Sequence, residues 1–207
     1  MQSGLPVVYA SSAAVYGDDE RIPLKEQQPA TPISGYGCDK SGCELQARAA
    51  GMMYGQPSLG LRFFNVYGSR QNPCSPYSGV ISRFFDLAAR RDPLVIYGDG
   101  KQARDFIHVN DIVRALLLAL NHSRSSAPVY NVCTGHAISI LDLARKIMVI
   151  TGSGAPLAFA PPRAEDIRCS VGDAACASKE LGFTAKMAID EGLSSLYREL
   201  EAAKQRC

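Results

Sequence analysis

The sequence predicts an α/β fold with a mostly parallel sheet, and three observations point there. Short β-branched apolar runs end abruptly in Ser, Gly or Pro, and stretches with helical period follow them. Hydrophobic residues make up 46% of the 207 and charged residues 20%, enough apolar material to bury a core. No internal repeat or low-complexity segment interrupts the alternation, and strands that alternate with helices pair in parallel through crossover connections.

The elements follow in order. Leu5 to Ala10 reads as a buried strand bounded by Gly4 and by Ser11-Ser12. Residues 17–34, rich in Pro, Gly and charge, read as a surface loop. A helix is expected from Gly35 to about Ala50, with Leu45 and Ala49 on one face and Gly51 as its stop. Ser58 to Phe64 is a second buried strand, followed by a Gly/Pro/Ser/Asn-rich loop to Tyr77. Val80 to Arg90 is an amphipathic helix carrying Ile81, Phe84, Phe85 and Ala88. Strands are expected at Leu94–Tyr97 and Phe106–Val109, then a helix capped by Asn110-Asp111 and running to about Leu120. Val129–Val132 reads as a strand, and Ser139 caps a helix from Ile140 to about Thr151. Leu157–Ala160 is a strand ended by Pro161-Pro162, and helices at Asp173–Leu181 and Ile189–Lys204 close the chain.

Composition narrows the function. A net charge of +2 with no basic run gives no footprint for nucleic acid. The apolar stretch Ile112 to Leu120 is interrupted by Arg114 and is too short to span a bilayer. The N-terminus has no signal-peptide pattern, so no membrane association and a cytoplasmic location are expected. Seven cysteines (38, 43, 74, 133, 169, 176 and 207) form no Cys-x-x-Cys pair and read as reduced thiols. His108, His122 and His136 lack ligand spacing, and no metal site is expected.

Gly98-Asp-Gly100-Lys-Gln-Ala103 formally matches the dinucleotide fingerprint. That fingerprint works only where a helix N-terminus follows and meets the pyrophosphate. Arg104-Asp-Phe-Ile-His-Val reads as a strand, so the segment is expected to be a strand-to-strand turn.

Tyr36-Gly-Cys-Asp-Lys40 sets a phenol and an ammonium one helical turn apart on one face. A phenol acting as a base near neutrality needs positive charge beside it. An ammonium ~6 Å away, at an effective dielectric of ~20, contributes on the order of 2.8 kcal/mol, about two factors of ten. A second positive charge must supply the remainder, and an oxidised nicotinamide ring is the natural source. Alone, this spacing also fits an exposed helix pair. Its company is the strand Val7 to Ala10, which ends in two hydroxyls at the edge where open α/β sheets hold ligands. Ser12 followed by the Tyr/Lys helix gives the three groups of a proton relay, with Ser11 assigned to strand-end turn chemistry.

The segments S-S-A-A-V-Y-G, Y-G-x-x-K, L-R-F-F-N-V-Y-G, Y-G-D-G-K-Q-A-R-D-F-I-H-V and P-R-A-E-D-I-R-C-S-V-G-D resemble the NAD-dependent epimerase/dehydratase family of extended short-chain dehydrogenases. The likeness is to its UDP-glucose and UDP-N-acetylglucosamine 4-epimerases, from about residue 5 to the C-terminus. It implies the C-terminal part of a Rossmann-like, doubly wound parallel sheet plus a small α/β substrate-binding domain. Residues 1–70 would hold the Ser/Tyr/Lys site, and 71–207 mostly the substrate domain, with 105–135 returning to the Rossmann sheet.

The resemblance also implies roles. Ser12 is the catalytic hydroxyl, Tyr36 the base, and Lys40 the holder of the nicotinamide ribose, with Ala10 beside the NAD cofactor. Asn65, Arg104 and Arg163 would hold the diphosphate of a UDP-sugar, Val95 to Tyr97 would pack on the uracil, and Asp166 would join them. The alternative partners are Asp105 or Asp111 for Arg104, and Asp166 for Arg163. Family dehydratases carry an acid just after the catalytic hydroxyl, whereas Ala13-Ala14 stand here, which favours epimerisation at C4. Ser170 falls where 4-epimerases control room at the sugar's 2-substituent, and its small size implies acceptance of an N-acetyl group.

Asp39, Cys133 and Glu165 depart from the family pattern, which usually has a small hydroxyl residue before the lysine and glycines at the other two positions. The family also begins with a strand, a glycine-rich turn, a helix and three more strands, roughly 100 residues in all. The chain starts at what resembles the fifth strand, so weak NAD binding and no activity by itself are expected. The complete enzyme is expected to be a homodimer through a helix bundle that includes the Tyr/Lys helix. Two alternatives stand: a non-catalytic piece that binds a nucleotide sugar or a partner, and a dehydratase, reductase or decarboxylase of the same family.

Overall fold

The computed structural model describes residues 5–72, 75, 79–163 and 166–204. Gly4, Cys74, Tyr77, Glu165 and Cys207, named above, lie outside them. The order is β1 (Val7–Ser12), a 3-10 turn (Ala13–Tyr16), α1 (Gly35–Tyr54), β2 (Ser58–Phe63), β3 (Asn65–Tyr67) and α2 (Val80–Arg90). Then come β4 (Leu94–Tyr97), β5 (Ala103–His108), α3 (Val109–Leu120), β6 (Val129–Val132), β7 (Ala137–Ser139) and α4 (Ile140–Thr151). β8 (Leu157–Ala160), β9 (Cys169–Ser170), α5 (Ala175–Leu181) and α6 (Ile189–Lys204) complete the described chain.

Three sheets result among the described residues. β1, β2 and β6 pair in parallel, with β2 central and nearly all of its residues buried, as its uninterrupted run Ser-Leu-Gly-Leu-Arg-Phe requires. β3, β5 and β7 form a second sheet in which β5 and β7 are antiparallel, and β9 pairs with β5. β4 and β8 form a parallel pair. One core (Leu59, Leu61, Ile107, Ile112, Val132, Phe183) lies under the first sheet, and a second (Ile81, Phe84, Phe85, Ile96, Leu143, Leu193) joins α2, α4 and α6. Each such side chain stabilises by about 1.5–3 kcal/mol on burial. Of the stretch 105–135, α3 and β6 lie with the first sheet, while β5 belongs to the second. Among the described residues, no helix is long and apolar enough to cross a membrane.

Four local expectations are corrected. α1 does not stop at Gly51: it runs to Tyr54, and Gly55 caps it in the left-handed region at φ 65°. Gly51 serves a close approach instead, because a Cβ there would lie 1.9 Å from the Ser125 carbonyl oxygen. β1 reaches Ser12 rather than Ala10, because its ladder with β2 continues through Ser11↔Arg62 and Ser12↔Phe63. β5 starts at Ala103, paired with β7 and β9. α3 is capped by His108, whose ring nitrogen accepts from the Asn110 N–H at 3.2 Å. Asp111 instead turns inward and accepts from the backbone N–H groups of Lys186 and Met187.

Candidate active site

β1 delivers its two terminal serines to opposite faces, as the strand period of two requires. Ser11 is buried and donates to Glu44 at 2.5 Å. Ser12 faces outward, and its hydroxyl accepts from the Ala14 N–H at 3.1 Å, capping the 3-10 turn. The helix that carries the phenol begins beside that turn. Ser34 caps α1 by accepting from Gly37 N–H, and a Cβ at Gly37 would stand 2.6 Å from the Ala14 carbonyl. Glycine is therefore required for the first turn of α1 to press onto the residues just after Ser12.

That contact fixes the pair. Tyr36 is 54% exposed, and the Lys40 ammonium sits 5.6 Å from the centre of its ring. Lys40 Nζ also donates to the Ala10 carbonyl at 3.0 Å, which ties helix to strand and holds the charge at the strand end. One turn further along the same row, Glu44 takes a bidentate grip from Arg62 at 2.8 and 2.7 Å. Arg62 donates on to Tyr16, whose hydroxyl donates to Asn131. Burial pushes the Tyr16 phenol up to about 12, against the pull of Arg62. The Asn131 amide in turn donates to the Leu24 carbonyl, and its N–H to Glu26.

Two clefts meet near this corner. Tyr36, Asn65, Tyr67, Gln71, Val80 and Phe106 help to line one of about 740 Å³. Asn65, Val80, Arg83, Val95, Tyr97 and Arg104 help to line another of about 360 Å³, with Arg163, Asp166 and Gln102. Asn65 and Val80 border both. In the smaller cleft Arg104 pairs with Asp166 at 2.5 Å, not with Asp105 or Asp111. Asp105 is buried and accepts from the Thr134 and Gly135 N–H groups, holding the turn after β6. Burial pulls the Arg104 guanidinium below its ordinary value, and Asp166 opposes that pull. Arg163 lies 3.9 Å over the Tyr97 ring rather than on Asp166. Its hydrogen bond and charge lower the Tyr97 phenol, and Gln102 braces the wall by donating to the Tyr97 carbonyl at 2.7 Å.

Thus the expected residues fall into groups. Tyr36, Lys40 and Ala10 gather at the strand end, with Ser12 on the adjoining turn. Asn65, Val95, Tyr97, Arg104, Arg163 and Asp166 line one cleft. Ser170 is buried on β9 opposite Arg104 and does not border that cleft. Residues 98–102 form a turn with Gly98 and Gly100 at φ 69° and 73°, and β5 follows from Ala103. A separate 750 Å³ cleft, walled by Phe106, Ile138, Phe183 and Met187, gathers none of the expected residues. Sequence reading missed Arg83, Gln102 and the Glu44–Arg62–Tyr16–Asn131 network. The signal available for Arg83 was a charge on the apolar face of an amphipathic helix.

The model of the NAD dependent epimerase/dehydratase family matches residues 2–133. The UDP-glucose 4-epimerase of Azospirillum brasilense is 34% identical over 194 residues, which cover 87% of this chain and 56% of that protein. The crystal structure of UDP-glucose 4-epimerase with UDP-glucose from Thermotoga maritima matches with a TM-score of 0.92 at 31% identity, over 97% of this chain and 64% of that one. UDP-N-acetylglucosamine 4-epimerase from Methanobrevibacter ruminantium, in complex with UDP-N-acetylmuramic acid, matches with a TM-score of 0.89 at 33% identity, over 96% of this chain and 64% of that one. The chain spans less than two thirds of the length of each of these proteins.

Proposed function

The chain belongs to the NAD dependent epimerase/dehydratase family, and from that premise we propose that it carries the acid–base and substrate-gripping residues of a UDP-sugar 4-epimerase. One observation carries the reading. The cleft bordered by Tyr36 joins, at Asn65 and Val80, a second cleft lined by arginines, so a sugar beside the phenol places its diphosphate among guanidinium groups.

NAD is the cofactor of this reading, and the residues present fit its nicotinamide end. An exposed phenol and an ammonium stand at a strand C-terminus, with the Ala10 carbonyl already engaged by Lys40. When bound, NAD supplies the hydride acceptor and donor for C4 and a positive charge near the phenol. Tyr36 removes the proton of the sugar 4-hydroxyl and returns it after the sugar has turned over. Ser12, its oxygen accepting from Ala14, keeps its own proton for the 4-oxygen. Lys40 holds the ribose. Arg104 and Arg163 keep the diphosphate fixed while the 4-keto sugar rotates about it. Ala13 and Ala14 offer no acid for loss of water, which supports epimerisation over dehydration.

Acceptance of N-acetylhexosamine as well as hexose nucleotides rests on the resemblance at Ser170, which does not itself border the cleft. The exposed Leu45, Met52, Met53 and Tyr54 of α1 support pairing with a second copy. Free thiols at Cys38 and Cys43 suit the cytoplasm.

The test supplies NAD with UDP-N-acetylglucosamine or UDP-glucose to the polypeptide as its source organism makes it, and follows C4 stereochemistry by proton NMR. Formation of the 4-epimers is expected. Accumulation of a 4-keto-6-deoxy sugar would replace epimerisation with dehydration.

A further inference from the structure

We infer that Asp105 is a positioning residue: it fixes how far Arg104 stands from Tyr36 by pinning β5 to the link between two sheets. The inference rests on the 4-epimerase reading, in which one ligand must reach both residues. Tyr36 moves with the first sheet, because Lys40 of its helix donates to Ala10 of β1. Arg104 moves with the second, on β5. That strand lines both clefts, the smaller one through Arg104 and the one bordered by Tyr36 through Phe106. A strand's period of two puts Arg104 and Phe106 on one face and turns Asp105, between them, to the other.

One link between these sheets runs from the end of β6 at Val132 to the start of β7 at Ala137, and Asp105, fully buried, grips its middle. Its Oδ1 accepts from the Thr134 N–H at 2.9 Å and from the Thr134 hydroxyl at 2.7 Å. Its Oδ2 accepts from the Gly135 N–H at 2.8 Å and, more weakly, from the Gly172 N–H at 3.5 Å. An ionised carboxylate offers about four lone-pair sites, and each faces a donor. Burial raises the carboxyl above its ordinary value, against the pull of these four bonds. Gly172 brings in a third segment. It follows β9, whose Ser170 is in register with Arg104, and its neighbours Val171 and Asp173 bond to Leu24 of the loop before α1. A Cβ at Gly172 would stand 2.5 Å from the ring of Phe64, the one residue between β2 and β3, where the other link crosses. The side chain of Asp105 thus reaches every segment that sets one sheet against the other. An asparagine of the same shape would turn its NH2 toward two of these donors.

The experiment compares wild type, Asp105→Asn and Thr134→Val, each in the polypeptide as its source organism makes it. Turnover of UDP-glucose with NAD gives kcat and KM, and calorimetry gives the affinity for UDP. UDP engages the arginine cleft alone and does not sense its distance from Tyr36, whereas turnover does. Asp105→Asn is therefore expected to lower kcat about a hundredfold, the cost of a misplacement of about 1 Å, with KM and UDP affinity little changed. Thr134→Val removes one of the four donors and should lower kcat by less, again without touching UDP. A lower melting temperature with kcat unchanged would make Asp105 a stability residue only and overturn the inference. UDP affinity that falls in step with kcat overturns it too, since the arginine cleft itself is then damaged. Should Asp105→Asn not fold, Thr134→Val decides, and a kcat equal to wild type sinks the inference. If wild type forms a 4-keto-6-deoxy sugar instead of the 4-epimer, the 4-epimerase reading fails while the same split in that turnover upholds Asp105. A wild type that neither binds UDP nor turns over UDP-glucose brings down both.

Discussion

Two neighbouring patches share β1 and α1 yet are built on opposite principles. At the strand end, Ser12, Tyr36 and Lys40 lie at the surface, held by single hydrogen bonds and a charge over a ring. Immediately behind, Ser11, Glu44, Arg62, Tyr16 and Asn131 form a chain of hydrogen bonds in which Arg62 and Asn131 are fully or almost fully buried. Tyr36, Lys40 and Glu44 occupy one row of α1 at four-residue intervals, so a single helix face passes from chemistry to support within two turns. The groups proposed to meet substrate stay open to solvent. The rigidity that positions them comes from a buried ion pair one turn away, where low dielectric strengthens every member.

The difference is broken most severely at the exposed end. Tyr36→Phe removes the proposed base and should lower the epimerisation rate about a thousandfold or more. The phenol is 54% exposed, so the unfolding midpoint should hold within a degree or two. A rate within tenfold of wild type would remove Tyr36 from the role of base.

At the buried end the effect should fall on stability. Arg62→Met leaves the Glu44 carboxylate, only 10% exposed at its side chain, without its fork. Breaking such a pair costs about 3–5 kcal/mol, read as a lower denaturant midpoint. Arg62→Met combined with Glu44→Leu removes both charges and should recover much of that loss. Equal midpoints for the single and the double variant would show that the pair is not coupled.

The two patches also differ in how far the sequence disclosed them. Tyr36 and Lys40 lie four residues apart, and Ser12 ends an apolar run, so spacing and strand-end chemistry were enough to single them out. Arg104 and Arg163 came from motifs, but their partners did not. Asp166 rather than Asp105 takes Arg104, because β5 turns Asp105 inward to the turn after β6. The buried network was invisible because Tyr16, Glu44, Arg62 and Asn131 come from four separate elements, and each alone reads as an ordinary polar residue. β3, β7 and β9 span three, three and two residues, too short for a period to register. Gly51 looked like a helix stop because a close backbone approach and a cap favour the same residue.

The smallest and sharpest division lies between the adjacent serines. Ser11→Ala removes one hydrogen bond to Glu44, but the same carboxylate oxygen still accepts from Arg62 Nε, so the loss should be about 1 kcal/mol. In a chain of this size that lowers the melting temperature by roughly 2–4 °C, and the epimerisation rate should stay within threefold. Ser12→Ala removes the cap on the 3-10 turn and the hydroxyl proposed to face the substrate oxygen. Its rate should fall roughly a hundredfold, the lower end of the range for a group that moves a proton, with a similar small change in melting. Because strand alternation sends neighbouring hydroxyls to opposite faces, the pair compares support with chemistry at constant composition. Should Ser11→Ala slow the reaction as much as Ser12→Ala, the two patches would act as one unit, and the buried network would be part of the proton path.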